Sequence, residues 1–324
     1  MKNKVHYVDS RKVAVIGCGF VGSTIAFALM QSGLFSEMVL IDVDMKKAEG
    51  EAMDIGHGIS FARPMKIWAG VYEDIADAAI VIVTAGANQK PGETRLDLVH
   101  KNIGILRSIM PEVTKYNKTG IIMIVSNPVD ILTYAALKVS GLPENRVIGS
   151  GTVLDTARLK YEIGEFLEVD SRGVHAFIVG EHGDSEIAAW SSANVSGVPL
   201  KEFCKIRNDI DSNKELKEAM EEIAERVKNS AYEIIERKQA TYYGIAMAVK
   251  RICEAIVRDE KSVLPISSMK HGEYGLTDVV LSMPAIVGED GVEHVVPVSL
   301  DEEEQKRLWN SAKVLKEIQK QEGF

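Results

Sequence analysis

Six short runs rich in valine and isoleucine, Lys12–Ile16, Met38–Val43, Lys66–Gly70, Ala79–Thr84, Ile121–Ser126 and Arg146–Gly149, dominate the first half of the chain. Most are apolar at both alternating positions, as strands covered on both faces must be. Helical patterns fill several of the gaps. Ile25, Ala26 and Leu29 share a face before Gly33 stops the turn, and Leu96, Val99, Ile103, Leu106 and Ile109 make a second face, which Pro111 is expected to interrupt. Strands alternating with helices imply a mostly parallel, doubly wound α/β sheet over residues 1–150, the architecture of a nucleotide-binding domain.

The rhythm changes near residue 150. A helix is expected over Val153–Phe166, a strand over Val174–Val179, and a long helix from a Ser212-x-x-Glu215 capping box. Leu216, Met220, Ile223, Val227, Ala231 and Ile234 form one stripe on that helix. A further helix follows Ala240, then strands near Ser262–Ser268, Pro284–Gly288 and Glu293–Val298, and a closing amphipathic helix from Asp301. Residues 151–324 therefore form an α+β domain, and without a low-complexity linker it should pack closely on the first.

Composition narrows the class of function. With 26% charged and 46% hydrophobic residues in 324, the chain is globular. A net charge of −9 excludes wholesale binding to nucleic acid or anionic lipid, so an anionic ligand must meet locally gathered cations. Cys18, Cys204 and Cys253 are odd in number and far apart, as reduced cytosolic thiols are. The uncharged Val13–Ser36 stretch behind Lys2, Lys4, Arg11 and Lys12 superficially resembles a signal peptide or anchor. Gly17, Gly19 and Gly22 break it, and a strand, turn and helix explain it better.

Gly17-Cys18-Gly19-Phe20-Val21-Gly22 is a G-x-G-x-x-G turn between the first strand and the first helix. Such glycines let the backbone approach a pyrophosphate at a helix N-terminus. Asp42 follows Gly22 by twenty residues, at the end of the second strand, where a carboxylate binds ribose hydroxyls and repels a 2′-phosphate. NAD is favoured over NADP. Ala85 to Arg95 (AGANQKPGETR) is a polar loop beyond the fourth strand, with Gly86 and Gly92 placed as hinges of a lid carrying Gln89 and Arg95. Asn127-Pro128 follows the fifth strand. Asp155 and Arg158 share a helix face, and His182 stands in Gly180-Glu181-His182-Gly183-Asp184. Taken singly, these are an ordinary loop, a turn, a surface ion pair and a structural histidine. No H-x-x-x-H or C-x-x-C spacing suggests a metal.

Read in order, GCGFVG, LIDVD, AGANQKPGETR, VSNPVD, TVLDTAR, GEHGDSE and ATYYG closely resemble the L-lactate dehydrogenase family of the lactate/malate dehydrogenase superfamily, from Val13 to the last helix. The resemblance implies a Rossmann-type NAD domain, a catalytic domain, and reversible hydride transfer between NADH and pyruvate giving L-lactate. It implies His182 as acid/base, Asp155 as its partner, Arg158 as the carboxylate anchor and Arg95 as the group polarising the carbonyl. Asn127 and Thr241 would line the substrate site. Gln89 stands where malate dehydrogenases carry arginine, so a second substrate carboxylate would lack a partner.

The family pattern extends cofactor contacts from Gly17, Gly19, Gly22 and Asp42 to Val21, Lys47, Tyr72, Gly86, Ala87, Ser108, Val125, Asn127 and Ser150. Many bacterial relatives bind fructose 1,6-bisphosphate between subunits through an arginine and a histidine. The matching positions are Lys160 and His175, and lysine keeps the charge but loses the bidentate fork. By resemblance a cytoplasmic homotetramer is expected. Rival readings are a malate dehydrogenase, opposed by Gln89, and a branched-chain 2-hydroxy acid dehydrogenase, opposed by the intact NQKPGETR loop. A non-catalytic NAD-binding sensor is a third, opposed by the joint retention of His182, Asp155, Arg158 and Arg95.

Overall fold

The computed structural model describes residues 11–87, 95–208 and 212–324. The first half runs β1 (Lys12–Ile16), α1 (Phe20–Ser32), β2 (Glu37–Ile41), α2 (Met45–His57), β3 (Lys66–Ala69) and β4 (Ala78–Val83). It continues with α3 (Arg95–Tyr116), β5 (Ile121–Ile124), α4 (Val129–Ser140) and β6 (Val147–Gly149). The six strands pair in parallel in the order β6-β5-β4-β1-β2-β3, so the order reverses between β1 and β4. That reversal opens a crevice at the strands' C-terminal edge, the usual ligand position of such sheets. Valines and isoleucines of β1, β4 and β5 are almost wholly buried, each side chain contributing roughly 1.5–3 kcal/mol by leaving water.

The second half begins with α5 (Val153–Leu167), followed by the two-residue strands β7 (Val174–His175), β8 (Ile178–Val179), β9 (Ile187–Ala188), β10 (Asn194–Val195) and β11 (Val198–Pro199). Then come α6 (Leu200–Asn208), α7 (Asn213–Lys238), α8 (Tyr243–Val257), β12 (Ser262–His271), β13 (Thr277–Gly288), β14 (Gly291–Val295) and α9 (Glu302–Gln321). β12, β13 and β14 form an antiparallel ribbon that joins β6 through Ser267 opposite Gly149, extending the sheet to nine strands. One apolar core runs from β1 through α8, β12, β13 and α9, while a smaller one gathers α5, α6 and α7.

Two expectations are corrected. Pro111 does not interrupt its helix: α3 continues to Tyr116, because Ile109, Met110 and Val113 on either side of the proline are buried and hold the last turns in place. Val174–Val179 is not one strand. It divides into β7, paired with β10, and β8, paired with β9, so that the chain changes sheets between His175 and Ile178. On α7, Leu216, Ile223 and Val227 are buried as the stripe requires, but Ile234 at the far end is 37% exposed. Ser212 Oγ accepts from the Glu215 amide, the N-terminal half of the expected cap.

Candidate active site

Loops following successive parallel strands gather at the crevice. Gly17 follows β1 at φ 101°, and a Cβ there would lie 2.6 Å from the Ala85 amide nitrogen. A Cβ on Gly22 would sit 1.9 Å from the Gly17 carbonyl oxygen, so neither position admits a side chain. Gly19 caps α1 and has nothing within 4 Å of its Cβ position, leaving open space before the helix N-terminus. This space suits a pyrophosphate, which backbone amides and the helix dipole would stabilise.

Asp42, directly after β2, accepts hydrogen bonds from the Cys18 amide at 2.6 Å and the Asp44 amide at 3.0 Å. Its carboxylate thus joins the glycine loop to the second strand. Burial, then the charges of Asp42 and Glu51, push the Cys18 thiol up to about 12, so it stays protonated. Lys47 is exposed in the first turn of α2, close enough for its charge to act on Cys18. Tyr72 lies in a turn after β3, Gly86 and Ala87 after β4, Val125 after β5 and Ser150 after β6. Ser108 is exposed on α3, its hydroxyl donating to the Ile105 carbonyl at 2.7 Å.

Asn102, for which the sequence offered no role, clamps two of these loops. Its side chain accepts from the Ala87 amide at 2.8 Å and donates to the Asn127 carbonyl at 2.8 Å. Asn127 itself is exposed, with a cis bond to Pro128. Gln89 and the rest of residues 88–94 lie outside the described residues, as does the Arg95 side chain at the start of α3.

Beside this edge a cavity of about 270 Å³ is lined by Asn127, Asp155, Arg158 and His182, with Val227 and Ala231 of α7 as an apolar wall. Its polar end is one ionic cluster. His182 Nδ1 lies 2.5 Å from Asp155 Oδ2, and Arg158 Nη1 donates to Asp155 Oδ1 at 2.7 Å. Asp155 is almost wholly buried in the first turn of α5, Arg158 one turn later, and His182 in the loop after β8. A buried carboxylate is costly unless paired, and here both oxygens have cationic partners.

Burial opposes ionisation of Asp155, but the His182 and Arg158 charges hold its carboxyl below the usual range. Burial alone would favour neutral His182. Asp155 more than offsets this by charge and hydrogen bond, with smaller help from Asp130 and Glu186, and pushes the imidazole up to about 9. Because Nδ1 is held, Nε2 is the nitrogen that can exchange a proton with a ligand.

Sequence reasoning missed two acids here. Glu186 lines the cavity, and burial followed by the Asp155 charge pushes it up to about 8. Asp130, buried at the start of α4, accepts from the His182 amide at 2.7 Å. Both fall inside quoted motifs, but nothing in the local sequence signals burial. Ligand atoms of Asp155, His182 and Glu186 come within 4.8 Å of one another. With Arg158 bonded to the same carboxylate, that cluster reads as a proton and anion site rather than a metal cage.

Thr241 is half-buried between α7 and α8, outside the cavity lining, and neighbours Tyr242, which stacks on Phe20 of the glycine turn at 5.6 Å. Lys160 is half-buried on α5, and burial lowers its pKa; His175 is exposed on β7, which packs against that helix. All three cysteines are free and buried. Among the described residues no helix is long and apolar enough to cross a membrane.

Comparison with known proteins places this geometry. Residues 11–149 match the family model of the lactate/malate dehydrogenase NAD-binding domain, and residues 152–324 that of the lactate/malate dehydrogenase alpha/beta C-terminal domain. An L-lactate dehydrogenase of Acetivibrio thermocellus is 54% identical over 312 residues, 95% of this chain and 96% of the relative. L-lactate dehydrogenase 1 of Clostridium acetobutylicum is 53% identical over 307 residues, 94% and 96% of the two chains. The ligand-bound crystal structure of a minor L-lactate dehydrogenase from Enterococcus mundtii superposes with a TM-score of 0.92 at 47% identity, covering 96% of this chain and 98% of its own. A lactate dehydrogenase from a Medee basin deep-sea metagenome gives the same TM-score and identity over 97% and 99%. With two matched domains, full-length relatives and an NAD-binding crevice beside a histidine–aspartate–arginine cluster, the chain belongs to the lactate/malate dehydrogenase family.

Proposed function

We propose that the protein interconverts pyruvate and L-lactate with NADH and NAD⁺, as the last step of lactate fermentation. The observation that carries this reading is the convergence of His182, Asp155 and Arg158 on one cavity beside the glycine-rich crevice. Binding NAD requires none of the three. Held at the glycine-rich turn, NADH would supply the hydride and NAD⁺ would accept it in the reverse direction. Protonated His182 donates from Nε2 to the carbonyl oxygen of pyruvate, and the neutral ring takes the hydroxyl proton of lactate. Asp155 keeps the ring oriented and stabilises its charged form.

Arg158 commits one nitrogen to Asp155, and the rest of its guanidinium pairs with the substrate carboxylate, fixing the ketone face presented to the cofactor. Arg95 stabilises charge developing on the carbonyl oxygen. Asn127 adds a hydrogen bond, and Thr241 is the substrate-site residue from the turn between α7 and α8. Gly17, Gly19, Val21 and Gly22 hold the pyrophosphate, and Asp42 the ribose. Lys47, Tyr72, Gly86, Ala87, Ser108, Val125 and Ser150 complete the cofactor site.

Substrate choice rests on Gln89. A neutral amide leaves the second carboxylate of oxaloacetate buried without a partner. In an assay of NADH oxidation, kcat/KM for pyruvate is expected to exceed that for oxaloacetate by about 10²- to 10⁴-fold. The reverse order would overturn the assignment. Repeating the assay with fructose 1,6-bisphosphate tests Lys160 and His175 as an effector site; stimulation that disappears in Lys160→Ala supports it.

Cofactor choice rests on Asp42. Asp42→Asn keeps an acceptor for the Cys18 amide but removes the charge that repels a 2′-phosphate. The preference for NADH over NADPH, as a ratio of kcat/KM, is expected to fall roughly tenfold or more. An unchanged ratio would remove Asp42 from that role. A homotetramer in the cytoplasm completes the reading. Exposed Phe27, Met53 and Met247 on α1, α2 and α8 offer apolar surface for assembly, and three free buried thiols suit a reducing compartment.

A further inference from the structure

We infer that Asp130 is a positioning residue for the reaction: its buried carboxylate ties the backbone of His182 and the loop bearing Asn127 to β12, and lends its charge to the imidazolium. The inference rests on the reading of His182 as the acid/base. Asp130 is 1% exposed and lies three residues beyond Asn127. Its Oδ2 accepts from the His182 amide at 2.7 Å, and Oδ1 accepts from the Ser267 hydroxyl of β12.

The connections continue from there. Ser267 Oγ meets Ser282 Oγ at 3.1 Å, and Ser282 Oγ accepts from the amide of Thr152, three residues before Asp155. Ser282 also exchanges two backbone hydrogen bonds of 2.9 Å with Gly180, two residues before His182. Asn127, Asp155 and His182 come from three different segments, and this network carries their relative placement. Without it, their mutual positions would depend on loops that begin in separate elements.

An asparagine could make both Asp130 contacts, accepting from the amide and donating to Ser267. The carboxylate instead bears the full cost of burial, which raises its pKa to about 6 against the opposing hydrogen bonds. Above that pH it is an anion inside the protein. Its surroundings are Glu181 and His182 from the loop after β8 and the fully buried Lys270 of β12, whose Nζ donates to Ser268 Oγ at 2.8 Å. His182 feels Asp155 from α5, Asp130 from α4 and Glu186 from its own loop, each raising its pKa. A charge retained at such cost, against a catalytic imidazole, points to a role for the charge itself.

Asp130→Asn and Asp130→Ala separate charge from contact. The first measurement is an NMR titration of the His182 imidazole in the cofactor-free protein, which needs no turnover. In Asp130→Asn the midpoint is expected to fall by about half a unit or more, because a nearby anion is gone. The alkaline limb of kcat for pyruvate should move the same way, with the Kd for NADH within about twofold. Asp130→Ala, which also frees the His182 amide, should lower kcat about tenfold or more at constant NADH affinity, and Asp130→Asn should restore much of it. A titration midpoint equal to wild type would overturn the inference. So would loss confined to Tm in Asp130→Ala, with kcat and its pH profile intact. If the wild-type protein fails to reduce pyruvate, the proposed function falls, while the titration still decides the part played by Asp130.

Discussion

His182→Asn is expected to lower kcat for pyruvate about 10³-fold at neutral pH, leaving NADH affinity nearly unchanged. Asparagine can donate to Asp155 in place of Nδ1, so the buried carboxylate keeps two partners and the fold should survive. It cannot hand a proton to a carbonyl oxygen. The pH dependence has a definite sign. With the imidazole pushed up to about 9, the proton-donating form predominates through neutrality, and pyruvate reduction should decline only as pH rises through that value. Lactate oxidation needs the neutral ring and should rise over the same interval. Stopped-flow and steady-state profiles in both directions check this. A His182→Asn variant retaining a tenth of wild-type kcat would require a different proton donor.

Arg158→Lys should lower kcat/KM for pyruvate by about 10²- to 10³-fold, or roughly 3–4 kcal/mol, mainly through KM. Lysine preserves the charge and can still reach Asp155, which Arg158 contacts at 2.7 Å from the same helix one turn away. What disappears is the planar fork that grips two carboxylate oxygens while one nitrogen stays on Asp155. A point charge must divide itself between the protein's carboxylate and the substrate's. NADH binding should be unaffected, since the proposed cofactor contacts lie at the glycine crevice. If KM stayed within a few-fold of wild type, the carboxylate anchor would lie elsewhere.

Much of the candidate cofactor site was legible because its determinants are local. Glycines at 17 and 22 are demanded by approaches of the backbone to Ala85 and to Gly17 itself, and a carboxylate twenty residues on ends the next strand. A parallel sheet then carries such loops to one edge, so sequence order becomes spatial proximity. The candidate catalytic cluster was legible differently. Asp155 and Arg158 are read as sharing a helix face, but nothing local brings His182 to them. Their grouping followed from the ordered set of motifs.

Other features were not legible. Pro111 is a helix breaker by its chemistry, yet burial of Ile109, Met110 and Val113 outweighs one lost hydrogen bond. Val174–Val179 is continuous as an apolar run and divided between two sheets in the fold. Asp130 and Asn102 look like an ordinary first-turn acid and a surface amide. In the fold each is buried and ties catalytic or cofactor loops together.

Alternation of apolar runs, turn glycines, caps and the order of the motifs determined the architecture, the cofactor class and the residues proposed for catalysis. These depend on backbone sterics and on periods of two or 3.6 residues, which act over short stretches of chain. Only the tertiary structure decided which carboxylates lose water, which cations reach them, and how far the His182 proton is held from its ordinary affinity. Those quantities depend on burial and on charges brought together from distant parts of the chain, and no local pattern encodes either.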